Sequence, residues 1–245
     1  MNLVNCHCNS VGGMVIAALS LAGCSAPPAE VHTRVTVEVQ TPQGVRSGSS
    51  VWSRRIWAPT VALASTYSTE FRGEAVAVDL PGGRTLFALV KDQAAVAERH
   101  FADLGPTGLA RDRVANVRAI AKRVGETRQL PCEPVPEGLS VALRADPRYD
   151  CPLLVTFGDI ADPKSVARVD PADLATTFGP GVTLRRISVA VTDDPVTTGI
   201  EKRFPWWENY RDRWFDGTST VSQDMTTDRL SASLSAGSFS TEFNR

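Results

Sequence analysis

Five cysteines, three histidines and a broad scatter of carboxylates are the side chains of this 245-residue chain best suited to chemistry. Cys6-His7-Cys8 sets two thiols around one imidazole, a ligand type that suits zinc, although a zinc site needs three or four fixed ligands. A zinc hydrolase of the His-Glu-x-x-His kind has no matching segment, and no Gly-x-Ser-x-Gly elbow supplies a serine nucleophile for His100 to activate. Asp159, Asp162, Asp170 and Asp173 suggest calcium, but they lack the dense alternation of oxygen ligands found in a calcium loop. Pro81-Gly82-Gly83 is not followed by Lys-Ser/Thr or by a helix, as a phosphate cradle would be. Two carboxylates suffice for glycoside hydrolysis, so a carboxylate-dependent hydrolase of envelope glycans remains the alternative function.

The other concentration of chemistry is aromatic. In "EKRFPWWENYRDRWFDG", Glu201 to Gly217, Pro205 can open a helix and Gly217 can close it. A helix there sets Trp207, Tyr210 and Trp214 on one face beside Arg211, with Trp206 pointing elsewhere. Aromatics mixed with arginine can stack on sugar rings, dock a protein or sit at a membrane–water interface. Trp206, Trp207, Tyr210, Arg211 and Trp214 are therefore the candidate partner-binding residues. The competing reading is a helix that closes the sheet.

The N-terminal segment decides where such chemistry would take place. Val11 to Gly23 carries no charge and consists of small or aliphatic residues. It is shorter than the roughly 20 apolar residues that span a bilayer, and it fits the apolar region of an export signal. Its end, Leu21-Ala22-Gly23-Cys24, resembles the lipobox of bacterial lipoproteins. That resemblance implies cleavage between Gly23 and Cys24, acylation of Cys24 and a covalent lipid in place of any cofactor. Ser25 after the cysteine implies the outer membrane, with the protein facing the periplasm. The Cys6-His7-Cys8 segment would be removed with the signal. "SAPPAEVHT" then reads as a short tether, and His32 lies within it.

With Cys24 acylated, Cys132 and Cys151 are the two thiols left, and an oxidising compartment favours a disulfide between them. Such a bridge contributes roughly 3 kcal/mol for a loop of this length. The rival readings are two unpaired buried thiols or one catalytic nucleophile. Lys plus Arg at 26 against Asp plus Glu at 27 gives a net charge of −1, without the basic excess that nucleic acid requires.

The elements that must position these residues follow from periodicity. "TRVTVEV" (33–39) alternates as a strand, and Pro81-Gly82-Gly83 sits between two strands of "GEAVAVDLPGGRTLFALV" as a hairpin turn. "DQAAVAERHFADLG" and "ARDRVANVRAIAKRVGE" read as helices. The second puts Val114, Val117, Ile120, Ala121 and Val124 on one face, and Arg111, Arg113, Arg118, Lys122 and Arg123 on the other, which reads as a solvated side, the alternative being contact with anionic lipid or lipopolysaccharide. "PLLVTF" and "VTLRRISVAVT" return to strand, the latter needing a bulge near Arg185-Arg186 for Leu184 and Ile187 to share a face. Between them Asp170 is the expected N-cap, Pro171 the first helical residue, and Gly179-Pro180-Gly181 the stop.

The block from "DIADPKSVARVDPADLATTFGPG" to "EKRFPWW", with "GEAVAVDLPGGRTLFALV", resembles a set of bacterial lipoproteins of similar length to which no activity is assigned. The resemblance spans roughly Val35 to Trp207 and implies a recurring domain, with no catalytic residue to carry over. The expected organisation is an export signal at 1–23, a lipidated tether at 24–32, one globular domain at 33–217 and a flexible Ser/Thr-rich tail at 218–245. The expected fold is α+β, a mainly antiparallel sheet with a few helices packed on it. The expected function is a lipid-anchored, non-catalytic envelope module that meets the membrane through its lipid and binds an envelope protein or glycan.

Overall fold

The computed structural model describes residues 27–58, 67–102, 112–133, 151–219 and 227–242. Cys6, His7, Cys8, the Gly23–Cys24 junction, Arg111 and most of the loop between Cys132 and Cys151 lie outside these residues. The fold is α+β, with two antiparallel sheets and short helices.

Strand β1 (Ala29–Thr41) alternates strictly, burying Val31, Val35, Val37 and Val39 on one side. It turns at Pro42-Gln43 into β2 (Gly44–Trp57) and pairs with it along its whole length. The sheet begins four residues earlier than the tether boundary expected from the sequence, because Ala29 and Val31 already point into the core. Strand β3 (Ser68–Arg72) covers the far end of β2. Where β3 stops, Thr197 takes over the open edge. Val51 N–H donates to Thr197 Oγ1 at 2.8 Å, and Thr197 N–H returns to Val51 O at 3.1 Å.

The second sheet starts with β4 (Val76–Asp79) and β5 (Thr85–Ala88), joined through the expected turn, where Gly82 and Gly83 adopt φ of 82° and 76°. β4 runs back along β2. Trp52 Nε1 donates to Glu74 O at 2.8 Å, while Ala77 O lies directly over Gly48. Only a residue without a Cβ allows two backbones to approach so closely.

Helix α1 (Val96–Phe101) and helix α2 (Arg113–Ala121) cover the remaining buried face of the first sheet, α2 lying on β1. Asp112 caps α2 by accepting from Val114 and Ala115 N–H. Val114, Val117 and Ile120 are buried as expected, but Val124 is 51% exposed. The helix ends at Ala121 and Gly125 takes φ of 89°, so Val124 leaves the apolar face before the period returns to it.

Strand β6 (Thr127–Leu130) follows. Strands β7 (Leu154–Phe157) and β8 (Val166–Arg168) complete the second sheet in the order β4-β5-β7-β8. Helix α3 (Leu174–Phe178) is capped by Asp173, three residues beyond the cap expected at Asp170. Asp170 instead accepts from Ala172 N–H and closes the preceding turn. Strand β9 (Thr183–Thr192) completes the first sheet, β3-β2-β1-β9-β6, and Arg185 is the bulged residue, since Glu38 faces Arg186 while Val39 faces Leu184. The extra residue turns both arginines toward one carboxylate, Glu38.

Residues 227–242 depart from the expected flexible tail. Leu230, Leu234, Ala236 and Phe239 are buried in the common core. Backbone bonds fasten the segment, Ala75 N–H to Phe239 O at 2.7 Å and Phe215 N–H to Leu234 O at 2.9 Å.

Candidate functional site

The aromatic segment folds differently from the helix expected over 205–217. It forms a 3-10 turn, Trp207–Tyr210, followed by irregular turns. This shorter geometry points Trp206 and Trp207 inward together, at 5% and 6% exposure. They join a cluster built on Phe87 of β5 and Phe157 of β7. Phe204 lies 4.7 Å from Trp206 and 5.7 Å from Trp207 between ring centroids, and Phe215 lies 4.9 Å from Trp206. Phe239, from the C-terminal segment, packs 5.3 Å from Phe204. Of the five candidate binding residues, Trp206 and Trp207 are thus core, Tyr210 and Trp214 are half-buried, and only Arg211 is exposed. These residues do not form an exposed aromatic platform; Trp206 and Trp207 close the core, as in the competing reading of the segment, although not as a helix. Burying all that ring surface is worth more than displaying it.

The cluster does form the floor of a cleft. A hollow of about 500 Å³ opens over Phe87 and Phe157 between the β4–β5 turn and the loop after β7, walled by Arg84, Gly158, Asp159, Ile160 and Arg203. Trp206 Nε1 donates to Ile160 O at 2.9 Å, tying one wall to the aromatic core. Arg203 grips Asp79 with two bonds of 2.8 and 3.0 Å, and Thr85 Oγ1 adds a third donor to that carboxylate at 2.9 Å. Arg203 first, then Thr85, holds the Asp79 carboxyl below the usual aspartate range. Arg84 donates to Thr177 O and, at 2.7 Å, to Phe178 O, while its guanidinium lies 5.2 Å over the Phe178 ring. It thereby satisfies the last carbonyls of α3, which the helix leaves open. Asp159 spends one oxygen on Ala161 N–H.

Two guanidinium groups held in place, a carboxylate and an apolar floor are the features of a site for a polar ligand of modest size. Nothing in the composition pointed to this pair, because Arg84 and Arg203 are far apart in sequence. The readable signal was the turn itself, which must leave Arg84 at the mouth of a hairpin.

A second hollow of about 220 Å³ rests on Trp207 and is rimmed by Glu201, Glu208 and Glu242 with Arg211. Arg211 pairs with Glu208 at 3.3 Å, and Glu242 is held by Arg72 through bonds of 2.9 and 2.8 Å. Glu74 lines neither hollow. It is 6% exposed and accepts from Ile200 N–H at 2.9 Å. Burial pushes its carboxyl above the ordinary glutamate range, partly offset by that bond.

The four aspartates considered for calcium are each engaged locally. Asp159, Asp162 and Asp170 accept from backbone N–H groups two residues on, and Asp173 caps α3. Cys132 and Cys151 are brought together at either end of the undescribed loop, with Cα atoms 5.0 Å apart and sulfurs at bonding distance. No protein-family model, curated protein or solved structure matches this chain.

Proposed function

We propose that this chain is a bacterial lipoprotein, anchored in the cell envelope by an acylated Cys24, whose folded domain is a non-catalytic module binding a glycan or a polar segment of an envelope protein. Its binding seat is the cleft walled by Arg84 and Arg203. The observation that supports the reading is the placing of that cleft relative to the start of β1, the first strand after Cys24. β1 starts five residues after Cys24 and runs thirteen residues, about 40 Å at the rise of an extended strand, away from it. The β1–β2 turn at the far end lies beside Gly181, where a Cβ would be 3.0 Å from the Pro42 ring. Gly181 follows α3, whose end Arg84 holds. The start of β1 and the cleft thus belong to opposite ends of one strand, an arrangement that, with lipid on Cys24, suits presenting a site away from a bilayer. A hydrolytic role is less well supported, since Glu208 and Glu242 at the second hollow are each paired with an arginine, and Glu74, whose raised pKa would suit a general acid, accepts from a backbone amide and lines neither hollow.

Intact mass of the protein extracted from membranes tests the anchor. The expected mass starts at Cys24 and carries acyl chains, with no thiol alkylated until reduction. An unprocessed chain with five free thiols would overturn the lipoprotein reading. A glycan and peptide array probed with the full chain and with Arg84→Ala and Arg203→Ala tests the seat. Hits that survive both substitutions would move it elsewhere.

A further inference from the structure

The end of the domain next to Cys24 is chemically unlike the rest. Arg118 of α2 donates to Pro27 O at 2.7 Å, so the helix is fastened to the chain at the point where the tether begins. Two residues, Ser25 and Ala26, separate Cys24 from Pro27, and three steps of about 3.5 Å each limit the span between them to about 11 Å. If Cys24 carries lipid, α2 is held within that reach of the headgroup layer.

The chemistry of this rim fits such a neighbour. From Arg118 to Leu130 the chain carries four basic side chains, Arg118, Lys122, Arg123 and Arg128, and one acidic, Glu126, although the net charge of the whole is −1. Arg118 bonds a neutral carbonyl, which leaves its charge uncompensated by that bond, and Lys122 is exposed at the C-terminal cap of α2. Glu126 lies 3.9 Å from Arg123 and is also paired with Arg128. Of the carboxylates at this end of the adjoining strands, Glu30 lies 3.2 Å from His32 and Asp194 pairs with Arg34, while Asp193 is exposed. Val124, 51% exposed, follows Lys122 and Arg123 in the chain. Gly125 N–H donates to Val191 O at 2.9 Å, which holds this tip beside the first residues of β1.

We propose that the C-terminal end of α2 and the turn to β6 form a headgroup-docking surface for anionic phospholipid, with Arg118 and Lys122 meeting phosphates and Val124 entering the interface, while Arg123 is held by Phe101 O at 3.0 Å and braces the turn. This rests on the anchored reading above. The lipid sets the distance, and the basic rim sets the orientation, holding the cleft outward. Each cation near an anionic surface attracts it by about 1 kcal/mol, roughly a fivefold effect.

The test is hydrogen exchange on the acylated full chain, reconstituted in vesicles of phosphatidylcholine alone or with phosphatidylglycerol. The intact mass is read from the same sample. Docking predicts that amides of 118–130 exchange several-fold more slowly on anionic vesicles. The β4–β5 turn, at the opposite end, stays unchanged. The protection is lost near 1 M salt, where the screening length is about 3 Å. Lys122→Glu with Val124→Ser, both exposed positions, should abolish the difference without lowering the melting temperature. An acylated chain with equal exchange on both vesicles overturns the docking alone. A chain that proves unacylated overturns both the anchor and the docking built on it.

Discussion

Glu74 and Asp79, five residues apart, titrate in opposite senses. Glu74 has its folded pKa raised by burial, so its contribution to stability is full below the ordinary glutamate value and is lost as pH rises through the folded value. Asp79 has its folded pKa lowered by Arg203, so its contribution is present above the ordinary aspartate value and lost as pH falls. Glu74→Gln keeps an acceptor for Ile200 N–H and removes the charge. It should raise the melting temperature at pH 7 relative to the wild type and leave it unchanged at pH 4. Equal melting shifts at both values would show that burial does not penalise this carboxylate. Asp79→Asn should cost little at pH 7, because that pair is largely solvated. For Trp207→Ala the expectation is a loss of about 3–5 kcal/mol in denaturant unfolding, the usual cost of emptying a large aromatic site in a core. A loss below 1 kcal/mol would mean that the ring is displayed rather than packed.

At the level of elements, legibility depended on how much of the information was local. The bulge in β9 was readable because two apolar residues three apart cannot share the face of a regular strand, and Arg185 is the residue that solves it. The β4–β5 hairpin was readable because two consecutive positive-φ positions leave little choice but glycine. The cap of α3 was missed by three residues because Asp170 and Asp173 are both good caps, and only packing of Leu174 and Phe178 decides between them. The aromatic helix failed because spacing says which residues share a face and not which elements supply the rest of the core. Three rings from elsewhere in the chain, Phe87, Phe157 and Phe239, together with Phe204 and Phe215 of the segment itself, drew Trp206 and Trp207 inward together.

The C-terminal segment misled for a different reason. A stretch rich in serine is buried here because its hydroxyls find backbone partners. Ser233 Oγ donates to Leu230 O at 3.0 Å, and Ser235 and Ser238 cap each other reciprocally. With those groups satisfied, Leu234 and Phe239 can close the core. Phe239→Ala should therefore cost about 3–5 kcal/mol, and truncation after Gly217 should give a chain that lacks a cooperative melt. A truncated protein that melts as sharply as the full chain would return this segment to the status of a tail.

For the molecule as a whole, the long-range closures matter most. The Cys132–Cys151 pair spans 19 residues, and a bridge there should contribute about 3 kcal/mol, measurable as a lower denaturant midpoint on reduction. An unchanged midpoint would mean that the thiols touch without being joined. The α+β class was legible because alternation and apolar helix faces recur in most segments. The cleft was not, since its two arginines converge only after both sheets, the hairpin and α3 have assembled.

The contact between the sheets at Gly48 reaches beyond stability. Ala77 O occupies the space that any side chain at position 48 would need, and because it is backbone it cannot be relieved by choosing a different residue at 77. A lineage that inherits this architecture is thus bound to glycine at that position, or must displace β4 and the hairpin that carries Arg84. Position 48 becomes a genealogical marker, by which distant relatives could be recognised after the rest of their sequences have diverged. A chain with a larger residue there and an intact cleft would have reached the same shape by a separate route.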